Sequence, residues 1–302
     1  SFAGPLSMGR YDPLAGGEAY VEWLAGCAAR PLKGKKFVVD CANGAAGRIA
    51  PAVFKRLGAE VVAANTNRGG LDTNEGCGAL HPDRIRAMTL EAGADVGFAY
   101  DGDADRLIAC DEKGNIVDGD KILCIFAATL KSAGALRENV VVGTAHTNTG
   151  AENYLKKLGI RLIRTDIGDK YVAEAMQKSG AQIGGEQSGH IILADYAVTG
   201  DGILTSVKLA ELVAEKKFSR LADIRLLPQY NGSVRVKDKV RILGDEYLRD
   251  FIDRTRQGVA RLVVRASGTE PVVRIFAEAE SMKAAKAAVE KVRAYIRAAE
   301  EG

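Results

Sequence analysis

The sequence contains one structural unit twice, and this repeat limits the fold more than any other feature. In the first copy, a Val-rich strand at 37–40 runs into the small-residue loop C-A-N-G-A-A-G, and the next helix closes with F-K-R-L-G, which places Gly58 as its C-terminal cap. In the second copy, V-V-V-G at 140–143 runs into T-A-H-T-N-T-G, and the helix closes with Y-L-K-K-L-G. Strands that alternate with helices favour a mostly parallel, doubly wound sheet in each copy.

The repeat extends into the two most unusual loops of the chain. The segment A-G-A-D-V-G-F-A-Y-D-G-D at 92–103 aligns with S-G-A-Q-I-G-G-E-Q-S-G-H at 179–190. Likewise, V-D-G-D-K-I-L at 117–123 aligns with V-T-G-D-G-I-L at 198–204. The loops D-G-D-A-D-R and G-E-Q-S-G-H therefore follow equivalent strands. Because ligands of open α/β sheets bind at the carboxyl ends of strands, both are candidate binding loops.

The end of the chain has a different pattern. Short Val-rich strands follow Pro228, and a helix begins at Ser281, its expected N-cap. The core stripe predicted for this helix is Met282, Ala285, Val289, Val292 and Ile296. The predicted fold class is two repeated doubly wound α/β domains, mixed or mostly parallel, followed by a smaller α+β domain. The predicted boundaries are a tag or linker scar at 1–9 and domains at 10–118, 119–227 and 228–302.

Composition excludes several classes of function. The net charge is +3, from 42 basic and 39 acidic residues, which gives no reason to expect nucleic acid or a polybasic membrane surface as a partner. No apolar run approaches the roughly 18 residues that span a bilayer. Five cysteines without a C-x-x-C pair predict reduced, partly buried thiols in a cytoplasmic protein. The oligomeric state, a homodimer included, stays open.

The loop D-G-D-A-D-R is a candidate metal site. Asp101, Asp103 and Asp105 alternate, so an extended segment would place their side chains on one face. Three close carboxylates repel one another unless a cation binds, and oxygen ligands favour Mg²⁺ or Ca²⁺ over zinc. An EF-hand, with Glu112 as its last ligand, is excluded because Arg106 stands where the sharp turn needs glycine. The remaining alternative is a solvated acidic turn.

The loop G-E-Q-S-G-H is a candidate sugar site. Glu186, Ser188 and His190 supply a carboxylate, a hydroxyl and an imidazole, which suit the hydroxyl groups of a sugar. Glycine lets the backbone approach a ligand closely. The alternative is a Gly-rich turn with a buried core histidine.

The segment R-A-S-G-T-E-P at 265–271 is a candidate phosphate site. Ser267, Gly268 and Thr269 can offer backbone N–H groups and hydroxyls to an anion, and Arg265 and Arg274 flank them. The alternative is an ordinary hairpin turn, since S-G is a common turn dipeptide.

In this order, the three loops resemble the metal, sugar and phosphate loops of the α-D-phosphohexomutases, over almost the whole chain from about Arg10. V-D-C-A-N-G-A-A, V-D-G-D and T-G-D-G-I also fit. The resemblance implies a mutase that moves phosphate on a hexosamine or hexose phosphate through a hexose 1,6-bisphosphate, with Mg²⁺ on the three aspartates and Arg106 beside the reacting phosphate. Lys170, in I-G-D-K-Y-V-A, would contact substrate where the family has arginine; it keeps the charge but loses the guanidinium fork.

One part of the family pattern is missing from the sequence. The family's nucleophile is a serine in a T-A-S-H-N-P-like loop of a first domain, and no serine here precedes H-N-P. T-A-H-T-N-T-G at 144–150 has no serine and aligns with the loop of the first repeat, which makes it a decoy. We expect the chain to correspond to the family's second to fourth domains and to turn over substrate only when the first is supplied in trans.

Alternatives of function remain open at this stage. The sugar can be glucosamine, glucose or mannose, since these differ by few contacts. A noncatalytic sugar-phosphate-binding module would share every loop described above. An aspartate-nucleophile phosphatase or phosphotransferase, with Asp101 or Asp103 attacked by phosphate, is a further class.

Overall fold

The computed structural model describes residues 16–67, 69–268 and 270–301. The predicted tag or linker scar at 1–9 lies outside these residues. The chain forms two compact units: one combines residues up to 119 with 188–222, and the other combines 120–187 with residues from 223 onward.

Strands and helices alternate through most of the chain, as the repeat predicts. The elements in chain order are α1 (Gly16–Gly26), β1 (Lys36–Asp40), α2 (Ala46–Arg56), β2 (Glu60–Ala64), α3 (Pro82–Ala92), β3 (Val96–Tyr100), β4 (Leu107–Asp111), β5 (Ile116–Val117), α4 (Gly119–Ser132), β6 (Val140–Thr144), α5 (Thr149–Lys157), β7 (Arg161–Thr165), α6 (Asp169–Ser179), β8 (Ile183–Gly185), β9 (Ile191–Leu193), α7 (Gly202–Glu215), α8 (Phe218–Leu221), β10 (Gln229–Arg235), α9 (Lys239–Gly244), α10 (Glu246–Arg256), β11 (Arg261–Ala266), β12 (Val272–Glu278) and α11 (Met282–Glu301).

The first unit is built on a mixed sheet with the strand order β2-β1-β3-β4-β5. β1 is parallel to β2 and β3, whereas β4 is antiparallel to β3 and β5. Every residue of β3 and β4 is buried, because helices cover both faces of a sheet of this kind. Gly58 follows α2 with φ +89°, the left-handed conformation of a C-terminal cap, as predicted.

Helix α7 packs inside the first unit. Most of its side chains are buried. Its Ser206 hydroxyl lies 2.7 Å from the Tyr100 hydroxyl at the end of β3. The hydrogen bond anchors α7 beside the strand that leads into the aspartate loop.

The second unit contains a parallel arrangement and an antiparallel one. β6 is parallel to β7 and β8, and its five residues are buried. The strands near the end of the chain form an antiparallel sheet in the order β10-β12-β11. The predicted fold class, repeated α/β units followed by a small α+β segment, is confirmed.

Helix α11 covers the antiparallel sheet with the predicted stripe. Ala285, Val289, Val292 and Ile296 are completely buried. The Ser281 hydroxyl accepts a hydrogen bond from the Ala284 N–H at 3.2 Å, which confirms the N-cap. Met282 does not join the stripe and is 51% exposed. As the first residue of the helix, it precedes the turn that packs on the core.

The cysteines are free thiols, as predicted: Cys27 is half-buried, and Cys41, Cys77, Cys110 and Cys124 are buried. Among the described residues, no helix combines the length and apolar character needed to cross a membrane.

Candidate functional site

The aspartate loop connects two buried antiparallel strands. Tyr100 of β3 pairs with Leu107 of β4, so residues 101–106 form the connection between them. Because the chain must reverse direction here, the loop is a turn and not the extended segment expected from the sequence. Ala104 adopts φ +64°, and its N–H donates to the Asp101 carbonyl at 3.1 Å. The extended-segment prediction is therefore wrong, although its consequence, convergence of the carboxylates, holds.

The three carboxylates converge at the carboxyl end of β3. One oxygen each of Asp101, Asp103 and Asp105 lies within 4.8 Å of the others. Asp101 is 8% exposed, Asp105 is half-buried and Asp103 faces solvent. Carboxylates gathered in this way form an all-oxygen donor set open to solvent on one side, the kind that hard divalent cations prefer.

Electrostatics of the loop also favour a cation. Burial raises the pKa of Asp101 to about 6; the Arg106 N–H that donates to its Oδ1 at 3.2 Å opposes this, and the Asp105 and Asp103 charges add to it. Oδ1 of Asp105 is buried without a hydrogen-bond partner. A buried carboxylate oxygen without a hydrogen-bond partner is costly unless a ligand completes it, so these residues fit a bound Mg²⁺.

Arg106 places a guanidinium beside the carboxylates. Its Nε lies 3.6 Å from Asp101 Oδ2 and 3.8 Å from Asp105 Oδ1. The side chain remains 42% exposed, so it is accessible to a phosphate that approaches from solvent. An arginine held next to a cation site can fork onto phosphate oxygens.

His190 lies against the aspartate loop, although it is far from it in the sequence. Its ring is 4% exposed, and its Nδ1 lies 3.0 Å from Asp105 Oδ2. Its Nε2 accepts the Gly200 N–H at 3.1 Å, so Nδ1 carries the ring proton and donates to Asp105. The sequence prediction made His190 a sugar ligand; in the structure its ring contacts Asp105 of the aspartate loop.

The G-E-Q-S-G-H loop is divided between the two compact units. Glu186 belongs to the second unit, where its Oε1 accepts the Gly168 N–H at 3.1 Å, just before α6. Ser188 belongs to the first unit and is exposed. Lys170 is exposed on α6, with its Nζ 4.0 Å from Glu174 Oε1. Its ammonium is therefore free of strong pairing and can reach solvent.

The R-A-S-G-T-E-P segment connects β11 and β12. Arg265 and Arg274 pair directly across these strands. Arg274 Nη2 lies 2.8 Å from Glu270 Oε2. Like charges directly opposite in a sheet destabilise it, so the arginine pair favours an anion in this place.

The backbone of this turn is less available than the sequence suggests. Ser267 is buried, and its N–H donates to the Val272 carbonyl at 2.9 Å. Its hydroxyl accepts the Glu270 N–H at 3.4 Å. The expected donation from the Ser267 N–H to an anion is therefore replaced by a bond that closes the turn. Gly268 is exposed, and Thr269 lies outside the described residues.

A pocket of about 260 Å³ opens beside the arginine pair. It is lined by Arg265 and Arg274 together with residues that the sequence reasoning missed, among them His146, Asn231 and Arg261. Arg261 could have been found, because its spacing from Arg265 places both on one face of β11. His146 carried no such signal, because it lies in a loop far away in the sequence.

Domain profiles of one family match nearly the whole chain. The phosphoglucomutase/phosphomannomutase α/β/α domain II matches residues 18–114, its α/β/α domain III matches 118–230, and its C-terminal domain matches 210–295. The chain belongs to the phosphoglucomutase/phosphomannomutase family, the α-D-phosphohexomutases, which confirms the resemblance seen in the motifs.

Two curated relatives that cover most of this chain are phosphoglucosamine mutases. Phosphoglucosamine mutase of Dictyoglomus thermophilum is 46% identical over 278 residues, covering 88% of this chain and 59% of the relative. Phosphoglucosamine mutase of Geobacillus kaustophilus is 43% identical over 293 residues, covering 95% and 65%. The chain thus spans about three fifths of the length of these relatives.

Solved structures share the fold. A phosphoglucomutase/phosphomannomutase family protein from Burkholderia thailandensis aligns with a TM-score of 0.76 at 26% identity, covering 97% of this chain and 67% of that protein. N-acetylphosphoglucosamine mutase of Aspergillus fumigatus, crystallised with GlcNAc-6P and magnesium, aligns with a TM-score of 0.75 at 24% identity, covering 94% and 66%.

Proposed function

We propose that this chain is the metal-binding and sugar-phosphate-binding part of a phosphoglucosamine mutase, an isomerase that interconverts glucosamine 6-phosphate and glucosamine 1-phosphate. The observation that carries the proposal is the convergence of Asp101, Asp103 and Asp105 beside Arg106. The 46% identity to a phosphoglucosamine mutase supports the choice of sugar. Glucose and mannose phosphates are the alternative substrates to compare.

In this proposal, Asp101, Asp103 and Asp105 hold Mg²⁺. The cation, when bound, neutralises negative charge on the phosphoryl group in transfer. Arg106 contacts the reacting phosphate through its exposed side chain, and its ion pairs with Asp101 and Asp105 orient the guanidinium. His190 fixes the orientation of the Asp105 carboxylate through its Nδ1–H.

The remaining proposed roles belong to substrate binding. Glu186 and Ser188 bind sugar hydroxyls, and Lys170 contributes a charge. The phosphate that does not react is held by Arg265, Ser267, Gly268, Thr269 and Arg274. A serine-to-alanine variant of the Aspergillus fumigatus mutase, which aligns at 25% identity, was crystallised with glucose 1,6-bisphosphate, and this supports a bisphosphate as the intermediate.

The phosphoryl donor is proposed to be a phosphoserine on a domain outside these 302 residues, supplied in trans in a reconstituted enzyme. The sequence motif of that serine is not found here. The division at 10–118, 119–227 and 228–302 is kept as the proposed counterpart of the family's second, third and fourth domains, and a cytoplasmic enzyme is the expected context.

A coupled mutase assay tests this function. The purified chain receives glucosamine 6-phosphate, Mg²⁺ and a trace of hexose bisphosphate, with and without a separately made N-terminal domain of the Dictyoglomus thermophilum relative. We expect no turnover by the chain alone and turnover when the domain is added. Turnover by the chain alone would show that its nucleophile lies within it and would overturn the assignment of the donor.

Metal binding is measured on the same chain by calorimetry. Asp103→Asn should weaken Mg²⁺ binding strongly, because the variant replaces one of three negatively charged carboxylates with a neutral amide oxygen. Asp253→Asn is the matched control, since Asp253 is an exposed aspartate paired with Arg256 at 2.8 Å, away from the aspartate loop. Equal Mg²⁺ affinity in both variants would remove the basis of the proposal.

A further inference from the structure

The loop after β6 lines the pocket that contains the arginine pair. Ala145 and His146 form part of its wall, together with Arg265 and Arg274. The sequence of this loop, T-A-H-T-N-T-G, resembles the serine motif of the family but has no serine, and no role has been assigned to it so far. The fold gives it a position next to the predicted phosphate residues of the same unit.

Two arginines hold this loop in place. Arg261 Nη1 donates to the Ala145 carbonyl at 2.7 Å and to the Thr147 carbonyl at 3.2 Å. Arg164 Nη1 donates to the same Thr147 carbonyl at 2.7 Å. Three bonds from two side chains fix the backbone on both sides of His146, so the residue that carries the ring is held in place before any ligand binds.

An aromatic wall restricts the imidazole further. The ring centroid of His146 lies 6.1 Å from that of Phe276, and the Arg261 guanidinium carbon lies 4.8 Å from the same phenyl ring. Phe276 itself lines the pocket. His146 is half-buried in this setting and retains access to the cavity.

The charged side chains that line the pocket are all arginines. Among the described residues that line it, the ionised ones are Arg261, Arg265 and Arg274, and none carries a carboxylate. A cavity of this volume with three guanidinium groups is suited to a phosphate.

We propose that His146 is a further substrate-binding residue, which donates a hydrogen bond to an oxygen of the phosphate held by Arg265 and Arg274. This inference rests on the proposed function and adds one residue to the proposed phosphate site. Through the ligand, this hydrogen bond would connect the loop after β6 with the turn between β11 and β12. Both segments belong to the second unit.

The protonation state of the ring is compatible with this role. Burial lowers the pKa of His146, the Arg261 and Arg265 charges lower it further, and Glu186 opposes them. A neutral imidazole adds no repulsion to the neighbouring guanidinium groups and still has one N–H to donate.

The test is calorimetry with inorganic phosphate and, separately, glucosamine 6-phosphate on the whole chain. His146→Ala should weaken binding of both about tenfold, the effect of losing one hydrogen bond to a charged group. His146→Asn keeps a side-chain N–H and should recover most of that loss. His81→Ala is the matched control, because His81 is an exposed histidine of the other unit. This variant should bind both ligands with the affinity of the unmodified chain.

A second variant separates this inference from the proposed function. Arg265→Met should abolish phosphate binding if the pocket is the phosphate site. If Arg265→Met loses binding while His146→Ala retains it, the role of His146 is overturned and the phosphate site stands. If both bind like the unmodified chain, the phosphate site of the proposed function fails as well.

Nuclear magnetic resonance of the unmodified chain tests the contact between His146 and phosphate without relying on the folding of a variant. The sequence has three histidines, so the ring C2–H resonances can be assigned with few variants. Added phosphate should move the His146 resonance along a saturable curve with the calorimetric Kd. A His146 resonance that stays still while phosphate binds would contradict the contact.

Discussion

His190 Nδ1 lies 3.0 Å from Oδ2 of Asp105, and the other ring nitrogen, Nε2, accepts a hydrogen bond from the backbone N–H of Gly200. A carboxylate that ligates a cation through one oxygen is oriented by a hydrogen bond to its other oxygen. In this loop Asp105 Oδ1 is left without a hydrogen-bond partner, which makes it the oxygen available to a cation.

The first prediction concerns this hydrogen bond. His190→Ala should lower Mg²⁺ affinity by about 10- to 100-fold, the usual effect of removing a partner that orients a metal ligand. Calorimetric titration with Mg²⁺ measures the change. His81→Ala should leave the affinity unchanged, and equal affinity in the two variants would show that Asp105 needs no support from His190.

The second prediction concerns pH. Because the pKa of Asp101 is raised to about 6, this carboxyl is protonated below that pH, where an ordinary aspartate is still ionised. Mg²⁺ must then displace a proton, so its apparent affinity should fall by up to about tenfold for each pH unit below about 6. Titrations across this range, with circular dichroism to confirm folding, provide the measurement. An affinity that stays constant down to about pH 5 would exclude Asp101 as a ligand.

The third prediction concerns the ion pair that covers Arg274. Its partner Glu270 lies 2.8 Å away, and both side chains are about half exposed. Glu270→Gln should release the guanidinium and tighten phosphate binding by up to about fivefold, since exposed pairs are worth at most about 1 kcal/mol. Asp253→Asn breaks a comparable exposed pair elsewhere and should have no effect. Weaker phosphate binding by Glu270→Gln would mean that the carboxylate supports the site.

The fourth prediction concerns the close approach of Gly200 to His190. A Cβ at residue 200 would lie 2.3 Å from His190 Nε2, so the ring or the backbone would have to move. Gly200→Ala should lower the free energy of unfolding by about 1–3 kcal/mol and weaken Mg²⁺ binding through the displaced ring. In the control Gly26→Ala, the added methyl meets nothing within 4 Å. Denaturant unfolding of both variants makes the comparison, and similar stabilities would contradict the crowding.

The elements of the fold follow from local patterns. Strand β3 is a continuous apolar run, and it is buried throughout. The stripe at Ala285, Val289, Val292 and Ile296 packs as its spacing predicts, because a helix with one apolar face must bury it. The repeat then predicts that the second copy folds like the first, with β6 between two parallel neighbours.

The site is harder to derive, because its contacts join distant residues. Asp105 and His190 are 85 positions apart, and no spacing rule connects them. His146 lines the same pocket as Arg265 and Arg274, and its loop is held by Arg261 through the Ala145 carbonyl, at a separation of 116 residues. The sequence pattern also failed to predict the local turn geometry. The alternating aspartates of D-G-D-A-D-R favour an extended segment, whereas the connection between β3 and β4 requires Ala104 at positive φ.

The arginines that face each other across β11 and β12 give the folded chain a repulsion that the unfolded chain does not have. Phosphate bound at the proposed site would offset this repulsion only in the folded state, so ligand concentration and conformational stability would be thermodynamically linked. Once the ligand exceeds its Kd, each tenfold increase adds about 1.4 kcal/mol to the free energy of unfolding. Occupancy of the proposed phosphate site would therefore also protect the folded chain from proteolysis that acts on its unfolded state.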